Sequence, residues 1–193
     1  IREDKDGRIW CRNFGGQIFY VERNKLNLLE SYSWKEQQSF PTIFIDAKNR
    51  LIASHKNGLF VYDINSKKSS VISFDKEKKP LPNFSLGIYK GNCFAVFNGS
   101  FFSLEQNQLQ KINVPSNFQE HQKQFQIVLG SFNDSLYLLN NKRDSIWICT
   151  LVNKSISFVR KFAVDKGGVY GVYEISNKEA WICGKQISYS LVA

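Results

Sequence analysis

Two histidines, four cysteines and a scattering of carboxylates are all that this 193-residue chain offers for metal or acid–base chemistry. His55 and His121 cannot by themselves build a cage of several imidazoles. Nothing in the spacing gathers a serine, a histidine and an acid into a nucleophilic triad. No pair of carboxylates stands out for glycoside cleavage. Asp4-Lys5-Asp6-Gly7 begins like a calcium loop, yet the later ligands and the closing glutamate do not follow at the needed spacing, so a plain turn is expected there. His55 falls in Ser54-His55-Lys56-Asn57-Gly58, a turn-forming run, and is expected to be a polar surface residue. No catalytic residue, metal ligand or cofactor is expected.

The cysteines and tryptophans have a positional logic instead. Cys11, Cys149 and Cys183 closely follow Trp10, Trp147 and Trp181, and with Cys93 they recur at matching places along the chain. Such recurrence predicts separate buried thiols too far apart to bridge. The three tryptophans are expected to be core residues, with a stacking platform for a sugar or base as the other reading.

These residues sit inside a repeat. Asp4 and Asp46, Ile9 and Leu51, Gly16 and Gly58, and Tyr20 and Tyr62 pair at one shared offset. A period of about 40 to 50 residues belongs to four-stranded propeller blades. Fainter copies are centred on Cys93 to Phe97, on Leu136 with Trp147, and on Ala180 with Trp181, where Leu51 is matched to Phe94, Leu136 and Ala180. Apolar and β-branched runs broken by Asp, Asn, Gly, Lys and Ser predict short strands, clearest in the second copy at 42–46, 50–54, 59–63 and 70–74. No stretch keeps helical periodicity, so helix should be nearly absent. The expected fold is all-β: a β-propeller of four-stranded antiparallel blades at approximately 1–34, 40–75, 84–113, 125–163 and 168–193. That makes about four and a half blades of one partial propeller spanning 1–193, part of a larger one.

A net charge of +9 and a pI near 9.4 bring nucleic acid into consideration. The densest basic run, Lys76-Glu77-Lys78-Lys79-Pro80, is interrupted by a glutamate and a proline, and other positive residues are scattered among turns. A solvated surface is therefore expected, with no nucleic-acid partner. No apolar run reaches the roughly 18 residues of a membrane span, and direct membrane insertion by this segment is not expected. The chain opens inside a repeat, so blades, targeting signal and output domain are expected to lie in further parts of the same polypeptide.

Ile1-Arg2-Glu3-Asp4-Lys5-Asp6-Gly7-Arg8-Ile9-Trp10 resembles the repeat of two-component-regulator propellers, whose pattern is an Ile, an acidic pair, a Gly turn, then Ile or Leu with Trp. Ile146-Trp147-Ile148-Cys149-Thr150 is similar to the same family's Ile-Trp-Ile-Gly-Thr strand, with Cys in place of Gly. The third and fourth copies lack the Asp-x-x-Gly turn with Trp after it, and the fifth has Asn177 and Lys178 where an acid and Gly belong. The resemblance implies a periplasmic, non-catalytic sensor region of a Bacteroides-like hybrid two-component histidine kinase or related membrane regulator, sensing an oligosaccharide and passing the signal to an output domain. A homodimer is a further expected partnership. The family's topology would put the second-to-third-strand loops and the interblade links on one face, carrying Arg12-Asn13-Phe14, His55-Lys56-Asn57, Asn98-Gly99, Trp34 and Phe40. Aromatic planes beside amide and basic donors suit a sugar ring, so Arg12, Asn13, Trp34 and His55 are the expected ligand-binding residues. The alternatives are a protein-interaction propeller and a propeller glycosidase or lyase.

Overall fold

A computed structural model describes the chain apart from residues 14, 31–42, 56–57, 74–83, 98, 117–124, 141, 165–168, 177, 185–187 and 193. Among the described residues it is all-β, with each sheet following chain order in an antiparallel meander. Sheet 1 holds β1 (Arg2–Glu3), β2 (Ile9–Arg12), β3 (Ile18–Glu22) and β4 (Lys25–Glu30). Sheet 2 holds β5 (Ile43–Ile45), β6 (Arg50–His55), β7 (Gly58–Asp63) and β8 (Lys68–Ser73). Sheet 3 holds β9 (Phe84–Tyr89), β10 (Asn92–Phe97), β11 (Ser100–Glu105) and β12 (Gln108–Lys111). Sheet 4 holds β13 (Phe125–Phe132), β14 (Ser135–Asn140), β15 (Ser145–Val152) and β16 (Ser155–Ala163). Sheet 5 holds β17 (Val169–Ser176), β18 (Glu179–Gly184) and β19 (Ser188–Val192). The four-stranded meander is the propeller blade that the repeat period predicts.

Two compact units emerge, Ile1–Asn83 with Gln106–Leu109, and Phe84–Glu105 with Gln110–Ala193. In the first, strand alternation sends Trp10, Ile18 and Tyr20 from sheet 1 against Leu51, Ala53, Phe60 and Tyr62 from sheet 2. Trp10 is 1% exposed, its ring 5.2 Å from that of Tyr20 and 5.8 Å from that of Tyr62. Burying such a side chain stabilises the fold by about 1.5–3 kcal/mol. In the second unit, Phe94, Val96 and Phe101 of sheet 3 pack on Leu136, Leu138, Trp147 and Cys149 of sheet 4. The other face of sheet 4, with Tyr137, Leu139, Ile146 and Ile148, packs on Ala180 and Ile182 of sheet 5.

Glycine lets the first strands of this unit come close. A Cβ on Gly87 in β9 would lie 2.5 Å from Val128 Cγ1 in β13, and one on Gly130 in β13 would lie 3.1 Å from Val172 Cβ in β17. The same strands are tied by polar contacts, since the Val128 N–H donates to Ser85 Oγ at 2.9 Å and Ser131 Oγ donates to the Ile88 carbonyl at 2.7 Å.

Three details depart from the sequence reading. The run 54–58 is not all turn, because β6 continues through His55 and β7 begins at Gly58. Trp181 is 37% exposed rather than a core residue, for Ala180 and Ile182 take the face that meets sheet 4 and period-two alternation turns Trp181 away. Phe94 joins the core shared with sheet 4, whereas Leu51 faces back toward sheet 1, so the third copy aligns one residue off.

Cys93, at the repeat offset from Leu51 (93 − 51 = 42), is the equivalent position, and the first hairpins differ as well. In sheets 1 and 2 the first hairpin carries an aspartate whose carboxylate gathers backbone donors, closed by a positive φ at Gly7 (77°) or Asn49 (59°). Sheets 3 and 4 replace it with two-residue turns, Lys90-Gly91 and Asn133-Asp134, in which both residues have positive φ. Such turns match strand twist without help from a capping carboxylate. The missing Asp-x-x-Gly pattern thus marks a different hairpin.

Candidate functional site

Arg12 ends β2 and His55 ends β6, so two of the expected ligand-binding residues stand at corresponding ends of neighbouring sheets. Arg12 Nη1 donates to Ser54 Oγ at 2.6 Å, across 42 residues of chain. That separation is the repeat offset, and the contact joins equivalent positions of two blades. It places the half-buried Arg12 guanidinium against the residue preceding His55.

Asn13 continues from Arg12 into the β2–β3 turn. Its Oδ1 accepts the Gln17 N–H at 3.0 Å, its Nδ2 donates to Gln17 Oε1 at 2.7 Å, and its carbonyl accepts the Gly16 N–H at 3.1 Å. The exposed amide therefore closes the turn, as Asn does where it mimics backbone. His55 is 8% exposed, a buried strand end rather than the surface turn residue its neighbours suggested. Its register partner is Gly58, which has φ of 155° and would set a Cβ only 1.9 Å from the Ile72 carbonyl oxygen. Trp34 and Phe40 lie outside the described residues, as do Phe14, Lys56, Asn57, Asn98 and His121. Ser54 was missed by sequence reasoning. Its signal was available, because it is the repeat equivalent of Arg12.

The aspartate turns lie at the other ends of β2 and β6. Asp4 Oδ1 accepts the N–H groups of Asp6 and Arg8 at 3.0 and 2.9 Å, and Oδ2 accepts Trp10 Nε1 at 2.8 Å. Both oxygens serve the fold, which is why this run is a turn and not a calcium loop. Arg8 lies over the Trp10 and Tyr20 rings at 5.6 and 5.8 Å. Asp46 repeats the arrangement, taking the backbone N–H groups of Lys48 and Arg50 on Oδ1 and Arg50 Nε and Nη2 on Oδ2. Arg50 Nη1 donates in turn to Asn107 Oδ1 at 2.7 Å.

No cluster of three His, Cys, Asp or Glu residues suited to a metal occurs among the described residues. All four cysteines are thiols, Cys93 and Cys149 buried, Cys11 and Cys183 half-buried. Burial pushes the Cys149 thiol up to about 12, which suppresses the thiolate a nucleophile would need. Arg12, with Asn13 after it, thus ends one strand, and Ser54 and His55 end the corresponding strand of the next sheet, with the Arg12–Ser54 hydrogen bond joining the two ends.

No family model and no curated protein sequence matches the chain. Solved structures do. Virginiamycin B lyase from Staphylococcus aureus is 12% identical, with 98% of this chain and 64% of that one covered at a TM-score of 0.66. The extracellular domain of a hybrid two-component system from B. thetaiotaomicron is 16% identical, with 100% and 28% covered at 0.61. PorZ, a bacterial surface component of the type-IX secretion system of Porphyromonas gingivalis, is 11% identical, with 96% and 29% covered at 0.57. The chain spans less than two thirds of each of these proteins. At such identities the likeness shows the propeller fold, shared by extracellular domains of two-component systems, a surface component and an enzyme.

Proposed function

We propose that this chain is a non-catalytic, extracytoplasmic sensor segment, periplasmic in location, that binds an oligosaccharide and passes the signal to an output domain of the same polypeptide. The observation that carries the reading is the Arg12–Ser54 hydrogen bond between equivalent loop ends of neighbouring sheets. A ligand held there would touch both blades at once, so binding would stiffen one against the other and give a signal something to act on. Arg12, Asn13 and His55 supply hydrogen bonds to sugar hydroxyls, and Trp34 from the following link supplies the stacking plane. The resemblance of the Ile1–Trp10 repeat to two-component-regulator propellers and the likeness to extracellular domains of such systems support the sensor reading.

Isothermal titration of the chain against a panel of oligosaccharides tests it. A binder should be found, and Trp34→Ala and Arg12→Ala should each weaken it by about tenfold or more, a loss of roughly 1.4 kcal/mol. Unchanged affinity in both variants would discard the site. The likeness to the lyase supports a second reading as a propeller enzyme, and chemical conversion of a panel member would favour that one.

A further inference from the structure

Arg8 and Arg50 stand one repeat apart, each four residues after the aspartate of its turn. Their guanidinium groups are used differently. Arg50 is nearly buried and is committed to the fold, with Nε and Nη2 on Asp46 Oδ2 and Nη1 on Asn107 Oδ1. Asp46 Oδ2 is open to it because the residue in the place of Trp10 is Ile52, whose side chain has no donor to put there. In sheet 1 the Trp10 indole takes Asp4 Oδ2 at 2.8 Å, and the backbone N–H groups of Asp6 and Arg8 take Oδ1. Arg8 Nη1 is left 4.0 Å from that carboxylate, beyond hydrogen-bond reach, and the guanidinium lies instead over the Trp10 and Tyr20 rings. Among the described residues its side-chain N–H groups meet no acceptor, and 25% of the side chain is open to solvent.

Two phenols share this place. Tyr20 and Tyr62 flank Trp10, their rings 5.2 and 5.8 Å from the indole. Burial, and then proximity to Tyr20, push the Tyr62 hydroxyl above the ordinary tyrosine value, with the Arg8 charge acting against them. The three groups are therefore within electrostatic reach of one another, and Tyr62 stays protonated, a donor, at neutral pH.

We propose that Arg8, Tyr20 and Tyr62 form a binding site for an oxyanion, carried by a small ligand as a carboxylate or as a phosphate or sulfate ester. A guanidinium presents parallel N–H groups that match either kind of oxyanion in bidentate fashion, and the two hydroxyls add donors beside it. The rings under Arg8 hold the guanidinium in place by cation–π attraction, so little order is lost when a ligand arrives. The Asp4 charge is already met by three N–H donors, and the net charge of +9 favours an anion over a cation. The site lies at the end of β2 opposite Arg12, so it is independent of that end and of what binds there.

Modification of the chain's arginines by phenylglyoxal, mapped by mass spectrometry of its peptides, tests the site residue by residue. Sodium acetate and sodium phosphate are the probes, with sodium chloride at equal ionic strength as reference. Arg8 should react in chloride and be shielded about tenfold once a probe stands at about ten times its dissociation constant. Arg23 and Arg143, both exposed, should react alike in all three salts. Shielding by acetate alone supports a carboxylate ligand, shielding by phosphate alone a phosphate or sulfate ester, and shielding by both supports an oxyanion site of either kind. Tyr20→Phe and Tyr62→Phe keep the rings and lose the hydroxyls, and each should reduce the shielding, with circular dichroism checking that the β-fold is kept. An Arg8 that does not react in chloride, or that neither probe shields, overturns the proposal. Shielding that is equal at Arg23 and Arg143, or that neither tyrosine variant reduces, overturns it as well.

Discussion

At Gly58 there is no room for a methyl group. A Cβ would stand 1.9 Å from the Ile72 carbonyl oxygen, and that oxygen belongs to a hydrogen-bonded strand that cannot step aside. Gly58→Ala should therefore cost about 3 kcal/mol or more, overpacking added to an unfavourable φ, read as a fall in the urea midpoint. Asp46 is as demanding for an electrostatic reason. Its side chain is fully buried and holds Arg50 Nη2 at 2.6 Å, with Arg50 itself nearly buried. Asp46→Ala takes the carboxylate from that guanidinium and leaves it the neutral Asn107 amide, and should cost about 3–5 kcal/mol, with Asp46→Asn milder because it still accepts the backbone donors. The exposed Lys154–Glu105 pair is nearly as short at 2.8 Å, yet Lys154→Ala should cost under about 1 kcal/mol, because water already solvates both charges. Cysteine reactivity sorts by burial. Cys11 and Cys183 should take up a thiol reagent quickly in the folded chain, and Cys93 and Cys149 only on unfolding. The sign of the pH effect at Cys149 follows from its raised pKa. Its protonated form is favoured by the fold, so its contribution is complete below the ordinary thiol range and is lost as pH rises from about 9 toward 12. Urea titrations at alkaline pH should show stability falling in that window, with a smaller fall in Cys149→Ser.

Strands packed through glycine depend on each other. Gly87→Ala forces a methyl against Val128, a stiff β-branched side chain, and should destabilise by about 1–3 kcal/mol. Val128→Ala in the same molecule should recover much of the loss, a coupling that a double-mutant cycle measures directly. This device was absent from the sequence reading, although Gly87, Gly130 and Gly171 recur along the first strands. A glycine within a run of β-formers suggests a bulge or a close approach without naming the neighbour, and register shifts do fall at Gly130 and Gly171. What was legible was the strand set of the second copy, because Asp46, Asn49 and Gly58 mark where its hairpins turn. The third copy misled by one residue, since Cys93 and Phe94 are both apolar and matching Phe94 rather than Cys93 to Leu51 exchanges the two faces of the strand. The candidate site was legible in part. Arg12 and His55 do stand at equivalent strand ends, but the role of Asn13 as a turn clasp and the burial of His55 depend on backbone bonds that residue types alone do not determine.

Over the whole chain the net charge of +9 has more influence on how partners are met than on how the sheets pack. A sugar bound through hydroxyl contacts releases few counterions, so its dissociation constant should barely change between low and physiological salt. A polyanion would weaken steeply, its logarithmic slope growing with each phosphate or sulfate contacted. Titrations of the same variant at two salt concentrations separate these cases. The repeat also spreads stability through many modest contacts between sheets, as the hydroxyl of Tyr89 illustrates. It donates to the Asp134 carbonyl at 2.8 Å and accepts the Leu151 N–H at 3.2 Å, so one oxygen of sheet 3 clasps two separate hairpins of sheet 4. Anyone wishing to cut and rejoin this chain, or to splice a reporter into it, would do well to spare the tip beside Tyr89. A scar there would loosen the neighbour's corners as well as its own.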